Sequence, residues 1–392
     1  MPGRKNCLLL QVFVPIAGCL LACGFILPAF GQDANEGFNA EVNGNVRAIA
    51  VQPNGKIIIG GEFTSVNGTH CDHIARLNPD GSLDSPLTTG ADLMAYGLAF
   101  QKDGGILVAG GIASYPTTSH DSVCRLLADG SVDQRFSPAP DNVVLAVAIQ
   151  PDQKIVVGGA FTNIGGFDRN YIARLNADGT LDTDFKTPII TGPVPSVQTL
   201  AVQPDGKILF SGFYTNVEGR QFAGLVRLAP DGTVDTGFPR VSGTAYSIVV
   251  QPDGKILAGG NFGLVGSMHE RIVRLNPNGT VDAGFKGTAN TDVQSIALQP
   301  DGKIVLAGWF DTLCGQPCKY LGRLNADGSR DTNFVSSADS LIYSLALQRD
   351  GKILVGGQIK TLAGQPCQYI GRLNPDGTRD GARRSPPHTS PQ

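Results

Sequence analysis

The sequence has few charged residues and no excess of positive ones. Only 17% of its 392 residues are charged, and 31 Lys and Arg face 34 Asp and Glu, which gives a formal net charge of −3. Nucleic-acid-binding domains carry a basic patch or stripe. The composition therefore argues against a nucleic-acid partner.

Histidine is scarce, with five in the chain, and the familiar catalytic motifs are missing. The sequence contains no Gly-x-Ser-x-Gly elbow, no His-Glu-x-x-His pair, no phosphate-binding loop and no dinucleotide fingerprint. It therefore assigns no reaction, and we expect a non-catalytic protein without a cofactor.

The only long apolar run lies at the N-terminus. Arg4 and Lys5 precede residues 7–30, which carry no charge, and small and polar residues follow. This pattern predicts a secretory signal peptide over residues 1–31, cleaved near Gly31. Two alternatives remain open: a retained membrane anchor, and a lipoprotein cleavage box at Ile16–Cys19.

Cysteines are too few for a disulfide framework. After cleavage five would remain: Cys71, Cys124, Cys314, Cys318 and Cys367. Because the number is odd and the spacing wide, at least one thiol stays free or pairs between chains. Cys314 and Cys318 lie in one short loop and can pair if its geometry allows.

Glycine, in contrast, is abundant and periodic, with 51 in the chain. A Gln that opens the motif "QPDGK" or a variant of it recurs at spacings of 48–53 residues, at Gln52, Gln101, Gln150, Gln203, Gln251, Gln299 and Gln348. We call these residues the anchor glutamines. Seven units therefore fill residues 44–380.

Each unit contains four short apolar runs and two tight turns. In the sixth unit, "SIALQ" and "KIVLAGWF" flank one turn, and "YLGRLN" and "SRDTNF" flank the other. Asp-Gly between apolar runs is a strong hairpin signal. A period near 49 residues with four strands favours an all-β, seven-bladed β-propeller with four-stranded antiparallel blades. A solenoid is the alternative.

The repeated unit, "QPDGKILVGG" followed by "RLNxDGSLDxxF", resembles the delta-60 repeat of large bacterial secreted and surface proteins. The resemblance covers all seven units. It implies a repeat fold and a location outside the cell, at the cell surface or in the periplasm of a bacterium. It implies no established activity.

The chain ends predict how the ring closes. The seventh unit lacks the Phe that should follow Asp380, and residues 33–38 resemble a displaced copy of that motif. We expect residues 33–42 to pair as the outer strand of the last blade. The propeller would then cover residues 32–382, and the Pro-rich residues 383–392 would be disordered.

One Arg and one Asp recur in every unit, on the third and fourth strands. The Arg residues are Arg76, Arg125, Arg174, Arg227, Arg274, Arg323 and Arg372, and the Asp residues are Asp84, Asp133, Asp182, Asp235, Asp282, Asp331 and Asp380. A feature needed in every blade indicates scaffold, here a partly buried ion pair. The alternative, a calcium loop over Asn78, Asp80 and Asp84, lacks the full set of acids.

Function is expected on the face of the long loops, where the units differ. Five residues before each anchor glutamine, at the entrance to the inner strand, stand Arg47, Tyr96, Leu145, Gln198, Tyr246, Gln294 and Tyr343. The polar and aromatic members of this set form our candidate ligand-binding ring at the channel mouth, together with Trp309, the only tryptophan. Alternatively, these residues pack the channel mouth and interact with solvent there, without binding a ligand.

A second variable position lies five residues before each repeated Arg. It holds Cys71, His120, Arg169, Phe222, His269, Cys318 and Cys367. Cys and His are metal ligands, but equivalent positions in neighbouring blades are too far apart to share one ion. We therefore expect no metal site.

These observations favour a monomeric, non-catalytic propeller that binds a glycan, a peptide or a surface protein through its long-loop face. Two other functions stay open: a propeller hydrolase or lactonase with a site at the channel mouth, and a structural spacer. Propellers host many functions, so the fold does not decide among them.

Overall fold

The computed structural model describes residues 37–87, 93–112, 122–221, 224–239, 241–262 and 271–381. No helix occurs in these ranges, and hence none that is long and apolar enough to cross a membrane. The predicted signal peptide, the Pro-rich tail, residues 33–36 and the loop residues His120, Phe222 and His269 lie outside the described residues.

Antiparallel strands, paired in the order first, second and third, form the seven predicted blades. The third strand of the fourth blade also pairs with the first strand of the fifth, so these two blades share one six-stranded sheet. The first strands, which lie innermost, are Val46–Val51, Leu93–Phe100, Val144–Ile149, Ser196–Val202, Val241–Val250, Val293–Leu298 and Ile342–Leu347. The second strands are Ile57–Gly61, Ile106–Ile112, Ile155–Gly159, Ile208–Phe213, Ile256–Phe262, Ile304–Gly308 and Ile353–Gly357. The third strands are Ile74–Leu77, Val123–Leu126, Ile172–Leu175, Gly224–Leu228, Ile272–Leu275, Leu321–Leu324 and Ile370–Leu373.

The predicted fourth strand is short. In the first blade it is regular, Leu83–Pro86, and pairs with the third strand. In the other six blades a single antiparallel bridge joins the end of the third strand to the segment after the second turn, as between Leu126 and Val132. The repeated Asp directly follows this bridge, and its side-chain contacts hold the segment in place (see below).

Five of the loops between the second and third strands form a small hairpin of their own. The paired segments are Ser65–Val66 with Thr69–His70, Asn163–Ile164 with Phe167–Asp168, Asn216–Val217 with Arg220–Gln221, Thr312–Leu313 with Gln316–Pro317, and Thr361–Leu362 with Gln365–Pro366. Ile190–Thr191 adds a strand to the third of these. These five long loops are therefore ordered extensions of their blades, while residues 113–121 and 263–270 lie outside the described part of the chain.

Both tight turns need a residue with positive φ, which glycine adopts without a steric penalty. In the first turn of the third unit, Gln153 stands where the other units have glycine, and it still adopts φ 71°. The turn geometry therefore follows from the repeat, and one non-glycine residue accepts the left-handed conformation.

The hydrophobic core lies between the blades. One cluster joins Ala48 and Ile58 of the first blade to Leu98 and Val108 of the second. Another joins Val46 of the first blade to Leu354 of the seventh. Because first and last blades share a core layer, the ring is closed.

The N-terminal segment closes the ring in a different way from the predicted outer strand. The Arg372 guanidinium lies over the Phe38 ring, 5.1 Å from the ring centre. The second to sixth blades place the Phe that follows the repeated Asp at this position. Asn39 then donates a hydrogen bond to the Asp80 carbonyl of the first blade at 2.9 Å. Residues 37–42 thus supply the missing Phe and a connection to the first blade. Their β-pairing with the seventh blade is a single bridge from Glu41 to Gln368.

Candidate functional site

The repeated Arg and Asp form the predicted ion pair in all seven blades. The Arg Nε atom lies 2.5–3.0 Å from an Asp carboxylate oxygen in every case. In five blades the Lys of the first turn joins the same carboxylate, as Lys154 does with Asp182 at 2.7 Å. The hydrogen bond from Lys255, with that from Arg274, outweighs desolvation and lowers the pKa of Asp282 to about 2.

The same Arg also fastens each blade to the next. Its Nη1 atom donates to a carbonyl in the second turn of the following blade, and the acceptors in ring order are Ala128, Ala177, Pro230, Pro277, Ala326, Pro375 and Pro79. The last of these bonds runs from Arg372 to the first blade. The repeated Arg and Asp are therefore scaffold that closes the ring.

These contacts also identify the two faces of the ring. Arg174 reaches the anchor glutamine Gln150 at the first turn and Pro230 at the second turn of the next blade. Both sets of tight turns therefore lie on one face, as predicted, and we call it the turn face. The long-loop face is opposite, and the inner strands begin there.

The residue five positions before each anchor glutamine is the extra residue of a β-bulge. The register between first and second strands shifts between Val46 and Ala48, and at the equivalent place in all seven blades. The residues at the shifts are Arg47, Tyr96, Leu145, Gln198, Tyr246, Gln294 and Tyr343, and we call them the bulge residues. Bulges re-aim side chains and are common next to functional sites.

A glycine on the second strand makes room for each bulge. A Cβ atom at Gly308 would lie 2.2 Å from the Asp292 carbonyl oxygen and 2.9 Å from the Gln294 nitrogen. The equivalent glycines are Gly61, Gly110, Gly159, Gly212, Gly260 and Gly357, and each would meet a carbonyl oxygen at 2.0–2.1 Å. This close approach explains why a glycine stands nine residues after the anchor glutamine in every unit.

The residue after that glycine forms a second, outer ring that the sequence analysis missed apart from Trp309. The rim residues are Glu62, Gly111, Ala160, Phe213, Asn261, Trp309 and Gln358, and none of them is buried. They lie ten residues after each anchor glutamine, so the repeat spacing could have revealed them. Each blade therefore presents one bulge residue and one rim residue at the mouth.

In the first blade, three polar residues at the mouth hydrogen bond with one another. Arg47 donates from Nε to the Glu62 carboxylate at 2.8 Å, and Asn45 donates to the other oxygen at 2.6 Å. The Arg47 guanidinium also lies 4.1 Å from the centre of the Tyr343 ring. Tyr343 is only 2% exposed, and burial raises its pKa to about 12. Tyr343 therefore supports Arg47 and offers no open stacking surface.

The other bulge residues differ in how far they reach solvent. Leu145, Gln198 and Gln294 are buried. Tyr96 is half-buried and packs against the cluster that contains Leu145, and burial raises its pKa. Of the predicted ring, Tyr96 and Tyr246 thus keep partly open aromatic surface, while both Gln residues lie deeper than expected.

Blades five and six contribute five polar or aromatic residues to one part of the mouth: Tyr246, Asn261, Arg271, Asp292 and Trp309. We call them the blade 5–6 cluster. Asn261 hydrogen bonds with Tyr246, whose pKa burial raises to about 12. Arg271 donates to Asn261 and lies 3.9 Å from the Asp292 carboxylate.

Trp309 borders this cluster on the sixth blade. Its backbone N–H donates to the Asp292 carbonyl at 2.9 Å, and 42% of the residue is exposed. Burial raises the pKa of the Asp292 carboxyl, while the charge on Arg271 acts in the opposite direction. The cluster therefore combines an exposed tryptophan with hydrogen-bond donors and acceptors.

A family model described as "Domain of unknown function (DUF5122) beta-propeller" matches all seven units. The matched residues are 52–85, 101–136, 150–185, 203–238, 251–285, 299–334 and 348–381, more than half of the chain. The chain belongs to this family. No curated protein matches it.

Several solved propellers resemble this DUF5122 propeller in fold. A streptogramin B lyase structure is 14% identical, with a TM-score of 0.50, and the match covers 88% of this chain and 99% of that one. Virginiamycin B lyase from Staphylococcus aureus is 14% identical, with a TM-score of 0.51 and coverage of 80% and 92%. A catalytically inactive variant of that lyase with quinupristin is 16% identical, with a TM-score of 0.54 and coverage of 86% and 98%. At these identities the likeness shows the fold alone.

An uncharged cleft of about 340 Å³ opens between blades four and five of the DUF5122 propeller. Pro193, Val194, Phe213 and Thr244 help to line it. Pro193 and Val194 belong to the one unit of greater length, in which anchor glutamines are 53 residues apart rather than 48 or 49. A departure from the repeat thus builds an apolar wall beside the mouth.

The positions weighed for metals serve other contacts. Cys71 is buried, and Cys314, Cys318 and Cys367 are partly buried. All four are free thiols, so Cys314 and Cys318 do not form the disulfide that their spacing allowed. Asp84 is bonded to Arg76 and Lys56, and Asp80 accepts from the Ser82 N–H and hydroxyl. Among the described residues, no group of three or more His, Cys, Asp or Glu side chains could hold a metal ion.

Proposed function

We propose that this DUF5122 propeller is an exported, non-catalytic binding protein whose long-loop face recognises a glycan, a peptide or a surface protein. One observation carries the proposal. Seven bulges, each made possible by a glycine, place residues that vary between blades at one mouth. The scaffold positions of the repeat, in contrast, hold the same Arg and Asp in every blade. Ligand pockets combine apolar walls with a few convergent polar groups.

The distribution of chemistry around the mouth supports recognition of a ligand with both apolar and polar parts. The third blade presents Ala160, and the fourth presents Phe213 beside the uncharged cleft. Blades five and six present Tyr246 and the other polar groups of the blade 5–6 cluster. Aromatic residues with a polar group suit such ligands, since they bury area and also form hydrogen bonds.

The proposed location rests on the sequence. A charged start followed by the apolar residues 7–30 is typical of an export signal, and the likeness to delta-60 repeats points to the bacterial surface. Fractionation of the producing cells, with N-terminal sequencing of the exported protein, tests this point. A chain found in the cytoplasm with Met1 intact would contradict it.

Binding is tested by a screen of immobilised glycans, peptides and surface proteins, followed by variants of the two partly open tyrosines. Binding energy concentrates in a few aromatic and Arg residues, so Tyr96→Ala or Tyr246→Ala should weaken binding by about 1–3 kcal/mol. Asp205→Ala and Asp301→Ala on the turn face are controls that should leave affinity unchanged. If both tyrosine variants bind every hit as tightly as wild type, the proposed face is wrong.

A further inference from the structure

The two polar regions of the mouth differ in how closely their charged side chains are paired. In the first blade, both Glu62 oxygens accept short hydrogen bonds, from Arg47 and Asn45. In the blade 5–6 cluster, the Arg271–Asp292 pair is separated by 3.9 Å, and each side chain is about one-quarter exposed. The carboxylate of the first region is therefore occupied by protein donors, whereas the looser pair of the second region is within reach of a ligand.

Charge in the blade 5–6 cluster is balanced. It contains one acid, Asp292, and one base, Arg271, and its other members, Tyr246, Asn261 and Trp309, are neutral. A charged ligand would gain from one of the two ions and be repelled by the other. A neutral ligand with many hydroxyl groups can donate to Asp292 and accept from Arg271 and Asn261 at once.

The exposed indole adds a flat apolar surface at the edge of these groups. Trp309 is exposed, and its backbone N–H is hydrogen bonded to the Asp292 carbonyl. A pyranose has an apolar C–H face and an equatorial belt of hydroxyls. Stacking that face on an indole buries aromatic area and leaves the hydroxyls free to hydrogen bond with neighbouring polar groups.

We propose that the blade 5–6 cluster is a subsite for a neutral saccharide, with Trp309 as the stacking surface and Asp292, Arg271 and Asn261 as hydrogen-bonding groups. This inference rests on the proposed function and specifies its ligand. Binding of a peptide, a protein or an acidic saccharide at this cluster in place of a neutral saccharide would contradict it.

The single tryptophan gives a direct readout. Because Trp309 is the only one in the chain, the tryptophan emission of the purified protein reports this subsite alone. The probes are hexasaccharides of glucose, xylose, mannose and N-acetylglucosamine, with hexagalacturonate and a proline-rich decapeptide as charged and peptide counterparts. We expect at least one neutral hexasaccharide to shift the emission and saturate, and the two counterparts to leave it unchanged.

Titration calorimetry of that saccharide against variants then tests the assignment. Trp309→Ala should raise Kd about tenfold to a hundredfold, the range of an aromatic anchor, and Trp309→Phe should recover much of the loss. Asn261→Ala should raise Kd by a smaller factor. Phe167→Ala is the matched control, since Phe167 is an aromatic residue that is 50% exposed on a different blade, and its Kd should equal that of wild type.

Two results separate this inference from the proposed function. If a peptide, protein or acidic saccharide binds in a manner that depends on Tyr96 or Tyr246 but not on Trp309, the saccharide subsite is wrong and the long-loop face stands. If a neutral saccharide binds and none of the mouth variants changes its Kd, both are wrong. Failure of every neutral hexasaccharide to bind up to millimolar concentration overturns the subsite.

Discussion

At the scale of the residue, the repeated Arg combines several contacts that no single motif describes. Arg174 pairs with Asp182 at 2.7 Å, bonds the Pro230 carbonyl of the next blade, and stacks on Phe185 at 4.8 Å. The sequence predicted the ion pair, because two residues at fixed positions of one hairpin must lie near each other. It could not predict the contact with the next blade, because that contact depends on how blades pack.

Removal of this Arg should therefore destabilise the fold. Breaking a buried pair costs about 3–5 kcal/mol, and we expect Arg174→Ala to cost about 3 kcal/mol because Lys154 still contacts Asp182. Urea denaturation measures the loss. The control is Arg135→Ala, whose 92% exposed side chain lies 3.6 Å from Asp133 and should contribute less than about 1 kcal/mol.

A double-mutant cycle refines the test. Groups in direct contact show interaction energies of about 0.5–3 kcal/mol, so Arg174→Ala and Asp182→Ala together should cost less than the sum of the two. Additive losses, or an Arg174 variant that unfolds at the same midpoint as the Arg135 variant, would show that the pair is too well solvated to hold the blades.

At the scale of the element, the bulge at the start of each inner strand determines what the mouth displays. Spacing from the anchor glutamine identified Arg47, Tyr246 and the other bulge residues as one set at the start of the inner strands. It did not reveal the bulge, because a bulge is a property of pairing between two strands. For the same reason the sequence could not tell that Tyr343 and Gln294 would be buried while Trp309 stayed exposed.

The glycine opposite the bulge gives a test of this element. Gly308→Ala would place a Cβ atom 2.2 Å from the Asp292 carbonyl oxygen, so the strands must move apart. Overpacking of this kind costs about 1–3 kcal/mol, and the shift should also change the emission of the adjacent Trp309.

Gly284→Ala is the matched control for that variant. A Cβ atom there would meet its nearest neighbour, a side-chain oxygen of Asp282, at 3.4 Å, which is an ordinary contact. Its denaturation midpoint should stay close to that of wild type. Equal midpoints for the two glycine variants would mean that the bulge does not depend on the close approach at Gly308.

At the scale of the whole molecule, closure joins the two ends of the repeat. Gly37 and Gly381 are in direct backbone contact, and Phe38 occupies in the seventh blade the place of Phe136 in the second, beside the repeated Arg. The sequence predicted that the N-terminal segment would complete the last blade, because the seventh unit lacks its Phe. The mode of completion, by one buried ring, depends on packing that the pattern does not contain.

Loss of the segment should therefore open the ring. A protein that begins at Gly44 loses Phe38, Ala40 and Val42, all of which are buried, and it exposes the boundary between first and last blades. Phe38→Ala alone should cost about 3–5 kcal/mol, the usual range for a buried Phe, and Phe136→Ala should cost a similar amount. Because the truncation also removes the hydrogen bond from Asn39 to Asp80, it should lower the melting temperature further and promote aggregation through the uncovered blade edge. Calorimetry and light scattering of the two proteins measure both effects. A truncated protein that melts with the longer chain and stays monomeric would show that the seven blades close without the N-terminal segment.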